Sequence, residues 1–281
     1  MNEPIVCKPT PWFLLRAAAM LLMFGIFTVL FFVDGKWRYR QYNLSYYVSQ
    51  AFEEATTAFK EKKEAGLTPE AWRSFAEKQA IDFVHRNASE EEGELVPVPE
   101  GTQVPMAWPE VLRDYNALEA SLGQTPEKLF DDHRLAAGIK EAAPEKPYPA
   151  RKIKEQWVVF WICLALTVVT LGVLLRTLGR KLAVDDTGFQ PAGGKKVPFS
   201  ELVRLDLRRW DTKGLAFAWA KTAGGGERKL RIDGLTYGGF KKEDNEPAEQ
   251  LMRRLRGNFS GEVIEYVTEA EEPAPTAPPQ A

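Results

Sequence analysis

The 281-residue sequence predicts an α+β membrane protein: two transmembrane helices, a mostly helical segment between them, and a C-terminal β module closed by one helix. Three observations carry this expectation. Trp12–Val33 holds a single charge, Arg16, and Trp157–Leu175 holds none. Each run is long enough to cross roughly 30 Å of hydrocarbon as a helix. Between the runs, apolar residues recur at three- and four-residue steps, whereas after the second run the period drops to two, the spacing of a strand.

The elements follow in order. Residues 1–11 read as an N-terminal tail and residues 12–33 as the first transmembrane helix. Its apolar run exceeds that of a signal peptide and "FFVDGKWRYR" offers no small-x-small cleavage pattern, so a retained anchor is expected. Trp12, Trp37, Tyr39, Trp157 and Trp161 stand near the ends of the two runs, where interfacial aromatics collect. Gly25 and Gly172 are the positions that would permit close helix contact, and Cys163, Thr167 and Thr170 form a mildly polar stripe.

Residues 34–156 are expected to be extracytoplasmic and mostly helical. Leu44, Val48, Ala51, Phe52, Ala55 and Phe59 mark an amphipathic helix that continues out of the first span. Thr68-Pro69 and Thr125-Pro126 place a capping hydroxyl before a proline, and both predict helix starts. Trp72, Phe75, Ala76, Gln79 and Phe83 extend the first of these. Pro109 opens a further helix through Val111, Leu112, Tyr115, Leu118 and Leu122. Asn87-Ala88-Ser89 matches a glycosylation sequon, a pattern that arises often by chance.

The second transmembrane helix is placed at residues 157–175 and a β domain with a C-terminal helix at 176–268. In "LVRLDLRRW", "LAFAWA" and "KLRID" apolar residues alternate with others, and "DTKG" and "TAGGGE" supply the turns of antiparallel hairpins. Leu205, Leu207, Phe217, Trp219 and Ile232 are expected to share the interior. Pro247 opens the closing helix, with Ala248, Leu251, Met252 and Leu255 on one face. Residues 269–281, rich in Pro, Ala and Glu, are expected to be disordered.

The succession "LAVDDTGF", "VPFSELVRLDLRRWDTKGLAFAW", "LRIDGLTYGGF" and the helix containing "AEQLMRRL" resembles bacterial pleckstrin-homology-like (PH-like) domains appended to membrane spans. It covers about a third of the chain. The resemblance implies a partly open β barrel capped by a helix, acting by binding. Lipid-binding members are similar to one another in basic residues around the first hairpin, whereas here that turn is Asp185-Asp186-Thr187-Gly188; the departure implies protein docking over phosphoinositide recognition.

Composition excludes some classes of function. A net charge of -2, with 37 Lys and Arg against 39 Asp and Glu, excludes a general nucleic-acid binder. The two cysteines, Cys7 and Cys163, leave the central segment without thiols, so no disulfide framework is expected. Only His85 and His133 supply imidazole. Asp131-Asp132-His133 could offer metal ligands, but adjacent helical side chains diverge by about 100° and do not converge. Gly193-Gly194-Lys195-Lys196 and Gly224-Gly225-Gly226 lack the spacing of a phosphate loop and read as turns.

No catalytic, cofactor or metal site is therefore expected, and the chain reads as a non-enzymatic binding or scaffold protein. The alternative is a two-span sensor or an accessory subunit of a membrane complex. Arg176, Arg180 and Lys181, at the exit of the second run, are the expected membrane-surface contacts. Expected partners are the lipid bilayer, a protein and, as a further class, a second copy of the chain. Flanking cations are equal in number on the two sides of the runs. Residues 34–156 carry 17 basic and 22 acidic residues while 176–281 carry 18 and 16, which, with the resemblance, predicts a bacterial cytoplasmic membrane and cytoplasmic termini.

Overall fold

Pro11–Val33 forms one helix that runs through a π-helical turn, Asp34–Arg38, into Tyr39–Glu64. Ala150–Leu178 is the second long helix. Both are long and apolar enough to cross a membrane, and their apolar side chains point outward: Leu22 is 66% exposed and Val169 62%. The computed structural model describes residues 3–85, 93–239 and 246–266; the sequon Asn87-Ala88-Ser89 and the expected tail 269–281 lie outside the described residues. The chain divides into two units, Met23–Thr167 and Met1–Leu22 together with Val168–Ala281.

In the Met23–Thr167 unit, the expected amphipathic stripe is the core. Val48, Ala51, Phe52, Ala55 and Phe59 are all buried, and Trp72 stands edge-on to Phe59 at 5.0 Å. Thr68 and Thr125 cap Pro69–Ala76 and Pro126–Ala136, accepting from the amides of Ala71 and Lys128 at 3.3 Å. Two elements differ from the expected helices. The helix from Pro69 stops at Ala76, and Phe83 reaches the core from extended chain between two short antiparallel pairs, Ala80–Ile81 with Met106–Ala107 and Val84–His85 with Glu94–Leu95. The helix after Pro109 is interrupted at Asp114, whose carboxylate caps the next one by accepting from the Asn116 amide at 2.9 Å.

Helix contact also differs from expectation. Nothing stands within 4 Å of where a Cβ would be at Gly25 or Gly172. The close approach is at Gly35, where a Cβ would meet the Trp157 indole at 3.2 Å, and Phe32 packs edge-on to Trp157 at 5.7 Å. Above it, the Thr28 and Thr167 hydroxyls lie 3.4 Å apart. Buried Asn43, an uncharged residue in a polar gap of the stripe, ties down two distant loops. Its amide donates to the Pro97 and Tyr148 carbonyls at 2.7 and 2.9 Å, and its oxygen accepts from the Tyr148 amide at 2.6 Å.

The other unit holds two open four-stranded sheets and the closing helix, Pro247–Asn258. Strands β1 (Ile5–Cys7), β2 (Leu182–Val184), β3 (Gly188–Gln190) and β4 (Val197–Pro198) pair antiparallel in that order. In the second sheet, β5 (Leu202–Asp206), β6 (Leu215–Lys221), β7 (Glu227–Asp233) and β8 (Glu262–Ile264) run in the order β7-β6-β5-β8, with β8 parallel to β5. Neither sheet closes into a barrel. The inner faces share one core with Leu251, Met252 and Leu255 of the helix.

Residues 1–11 are not a free tail. Strand β1 pairs Ile5 with Val184 and Cys7 with Leu182, and the chain beyond it is held on the other side. There the Gly238 amide donates to the Lys8 carbonyl at 2.8 Å and the Thr10 amide to Thr236 at 2.9 Å. Cys7 is fully buried, and burial pushes its thiol up to about 12. The sequence concealed this strand because three residues are too few to display a period.

The facing of β6 is reversed from expectation. Ala216, Ala218 and Ala220 are buried, while Leu215, Phe217 and Trp219 turn outward and are half-buried. The inner side is already filled by Leu205, Leu230, Ile232 and the closing helix, so only methyl groups fit there. Outside, the Lys229 ammonium lies over the Phe217 ring at 3.9 Å and the Arg204 guanidinium carbon over Trp219 at 5.6 Å, as cation–π pairs.

Thermal unfolding of the detergent-purified protein should reflect this reversal. Ile232→Ala should cost about 2–5 kcal/mol and Ala218→Leu about 1–3 kcal/mol, the one by cavity and the other by crowding. Trp219→Ala should cost no more than about 1 kcal/mol; a larger loss than for Ile232→Ala would restore the inward assignment. Separately, the pairing of Val6 with Ala183 places these residues in register, so Val6→Cys/Ala183→Cys should oxidise to an intramolecular disulfide. A double variant that stays reduced under oxidant would mean that β1 is not docked.

Candidate functional site

Two surfaces of the β unit bring chemistry-bearing side chains together. The first is the outward face of the β7-β6-β5-β8 sheet. Leu215, Phe217 and Trp219 form an apolar row along β6, and Arg204, Asp206, Lys229 and Arg231 flank it because they occupy paired positions on β5 and β7. Most of the charges are matched: Arg204 with Glu262 at 3.0 Å, Arg208 with Asp206 at 2.8 Å and Arg231 with Asp233 at 2.7 Å. The Arg208 guanidinium, the largest influence, and the Arg208 amide hold the Asp206 carboxyl below its ordinary range. The rings are therefore the distinctive part of this face, and the charges around them are largely neutralised.

The second is a cavity of about 560 Å³ at the end of the Ala150–Leu178 helix. Arg176 in the last turn of that helix and Arg180, two residues past its end, line it from one side, and Arg228, Lys229 and Arg231 line it from β7. Asp233 is the one carboxylate among its described lining residues, and Arg231 already engages it. Strand β7 is the edge of its sheet, and along it Lys229 and Arg231 alternate with Arg228, the Lys229 ammonium lying over the Phe217 ring on the outward face. The turn Pro191–Gly194 forms another wall. At Gly193 the backbone has φ +73°, and a Cβ there would stand 2.6 Å from the Arg180 Nε. Glycine therefore allows the guanidinium to lie flat against the turn.

Of the expected surface residues, the structure brings Arg176 and Arg180 together, whereas Lys181 turns to a neighbouring concavity with Lys8 and Gln190. Arg228, Lys229 and Arg231 were not singled out from the sequence. The only available signal was three cations in the edge-strand run "ERKLRID", and their proximity to Arg176 depends on folding across about fifty residues.

The acidic first turn is internally neutralised. Asp185 accepts from Lys196 and from the amides of Thr187 at 2.8 Å and Gly188 at 3.1 Å. Lys196 first, then the Thr187 contacts, hold its carboxyl well below the usual range. Asp186 pairs with Arg254 at 2.5 Å. In the other unit, Asp131 pairs with Arg134 at 2.5 Å, while His133 lies against Phe52 at 5.2 Å and burial lowers its pKa. Among the described residues no group of three or more His, Cys, Asp or Glu is arranged to hold a metal ion. The glycine runs are turns: Gly225 has φ +79° and the Thr222 amide donates to the Gly226 carbonyl at 2.8 Å.

These features define a mixed α/β chain with two helices of membrane-crossing length and apolarity. No family model, curated protein or solved structure matches it.

The two glycine turns yield a comparison. Both Gly193→Ala and Gly225→Ala place a side chain in the left-handed region and should each cost about 1 kcal/mol. Gly193→Ala should cost more, because its Cβ also meets Arg180 whereas that of Gly225 meets open space. Equal melting temperatures for the two variants would show that Arg180 is not held against the turn.

Proposed function

We propose that this chain is a non-enzymatic docking protein of a bacterial cytoplasmic membrane, anchored by two crossings, whose PH-like β unit lies in the cytoplasm and binds a protein partner. The observation that carries this reading is the outward row Leu215, Phe217 and Trp219. A sheet that keeps alanines inside and presents aromatic rings outside leaves apolar surface that a partner can cover. The pairing of β1 with β2 supports the anchoring, since strands that share hydrogen bonds lie in one compartment and the helices between them must cross an even number of times. The outward apolar side chains of both helices support the bilayer as their surroundings. A second reading, a two-span sensor or accessory subunit, is favoured by the unbroken helix from Pro11 to Glu64, through which movement could be passed.

Two measurements test this. Compartment reporters fused after Ser121 and after Thr268 should give opposite answers, and the same answer from both would remove one crossing. A photocrosslinking residue replacing Phe217 or Trp219 in cells should yield a discrete adduct, while one replacing Arg256 on the closing helix should not. Absence of adducts from the β6 positions, with the protein folded and abundant, would refute docking at this face.

A further inference from the structure

We propose that the cationic cavity at the end of the Ala150–Leu178 helix binds the phosphate group of an anionic glycerophospholipid, with an acyl chain running along the adjoining apolar wall. This rests on the membrane reading above and concerns a different surface from the docking row. Arg176, Arg180 and Arg228 line one space of about 560 Å³, whose one carboxylate among the described lining residues, Asp233, is already engaged by Arg231; Lys229 and Arg231 alternate toward the face that carries Phe217 and Trp219. Like charges gathered in this way repel one another, and an anion placed among them converts that repulsion into charge-assisted hydrogen bonds. Arginine is suited to the task, because its planar fork matches two phosphate oxygens at once.

The cavity is also prepared for a ligand. Arg180 is braced against Gly193, whose lack of a Cβ leaves room for the guanidinium, so less freedom is lost when it takes up a phosphate oxygen. The acidic turn that argues against phosphate recognition does not line this space, and its two carboxylates are engaged by Lys196 and Arg254.

The apolar portion of the lining favours a lipid over a free phosphate compound. Phe13, in the first turn of the Pro11–Val33 helix, and Val173, one turn before Thr177 and 52% exposed, stand beside the cations. A soluble phosphate would leave both uncovered, whereas a phospholipid satisfies cations and apolar wall together. The cavity stands where the apolar part of the helix gives way to Arg176 and Arg180, the level at which headgroups would lie.

The test uses the full chain purified in a neutral maltoside detergent. Phosphatidylglycerol, phosphatidylcholine and glycerol phosphate are titrated separately, with melting temperature and native mass spectrometry as readouts. Phosphatidylglycerol should raise the melting temperature and remain bound in the spectrometer, while phosphatidylcholine and glycerol phosphate should do neither at matched concentration. Arg180→Gln/Arg228→Gln should weaken phosphatidylglycerol binding about tenfold or more, given the contribution of each juxtamembrane cation. Lys213→Gln/Lys221→Gln, which removes equal charge from exposed positions outside the cavity, should leave binding unchanged. Arg228→Gln alone, at an exposed strand position, supplies the comparison should the double variant melt lower without lipid.

Equal weakening by both double variants would overturn the site in favour of general surface charge. Glycerol phosphate binding as tightly as phosphatidylglycerol would overturn the lipid assignment and point to a soluble phosphate compound. Failure of the membrane reading looks different: alkaline carbonate would release the chain from membranes. A chain that resists extraction yet shows no preference for phosphatidylglycerol overturns this site alone.

Discussion

The pairing of Ile5–Cys7 with Leu182–Val184 is the contact on which the arrangement of the β unit depends. It joins segments more than 170 residues apart, so the chain must leave the β unit through one apolar helix and return through the other. A three-residue strand has little stability alone. What holds it is burial of Cys7 among Leu182, Tyr237 and the closing helix, together with amide bonds to both flanks. Gly238 is part of the same solution, since a Cβ there would meet the Cys7 sulfur at 2.7 Å. A backbone carrying a side chain could not come so near.

Fixing β1 also fixes the surroundings of the cationic cavity. With the N-terminal strand docked, Phe13 in the first helix lines the same space as Val173 and Arg176 in the second. Arg228 on the edge strand β7 lines the same space, while Lys229 and Arg231 alternate toward the face that carries Phe217 and Trp219. Edge strands commonly use lysine and arginine to discourage unwanted pairing, and here the same residues line a concave surface.

Much of the helical part was legible beforehand. The stripe from Val48 to Phe59 and the caps at Thr68 and Thr125 lie where periodicity and capping chemistry place them, because these are local effects within a few turns. Phe83 was misjudged for a related reason: its apolar spacing continued after Ala76, but the backbone had already left the helix. On β6, alternation correctly grouped Leu215, Phe217 and Trp219 on one face and misidentified which face it was. Period two says which residues share a side, while the volume left by Leu205, Ile232 and the closing helix decides which side is inside.

The sequence alone determined the long apolar helices, the change from helical to strand period, the closing amphipathic helix and the clustering of Arg176 and Arg180, since each follows from residues within a few turns of one another. Tertiary structure alone decided the docking of β1, the outward turn of Trp219 and the meeting of Arg228 with the helix end. The physical reason is common to all three. Each depends on which surfaces remain after distant segments have packed, and a residue's own neighbours in the chain carry no record of that remaining space.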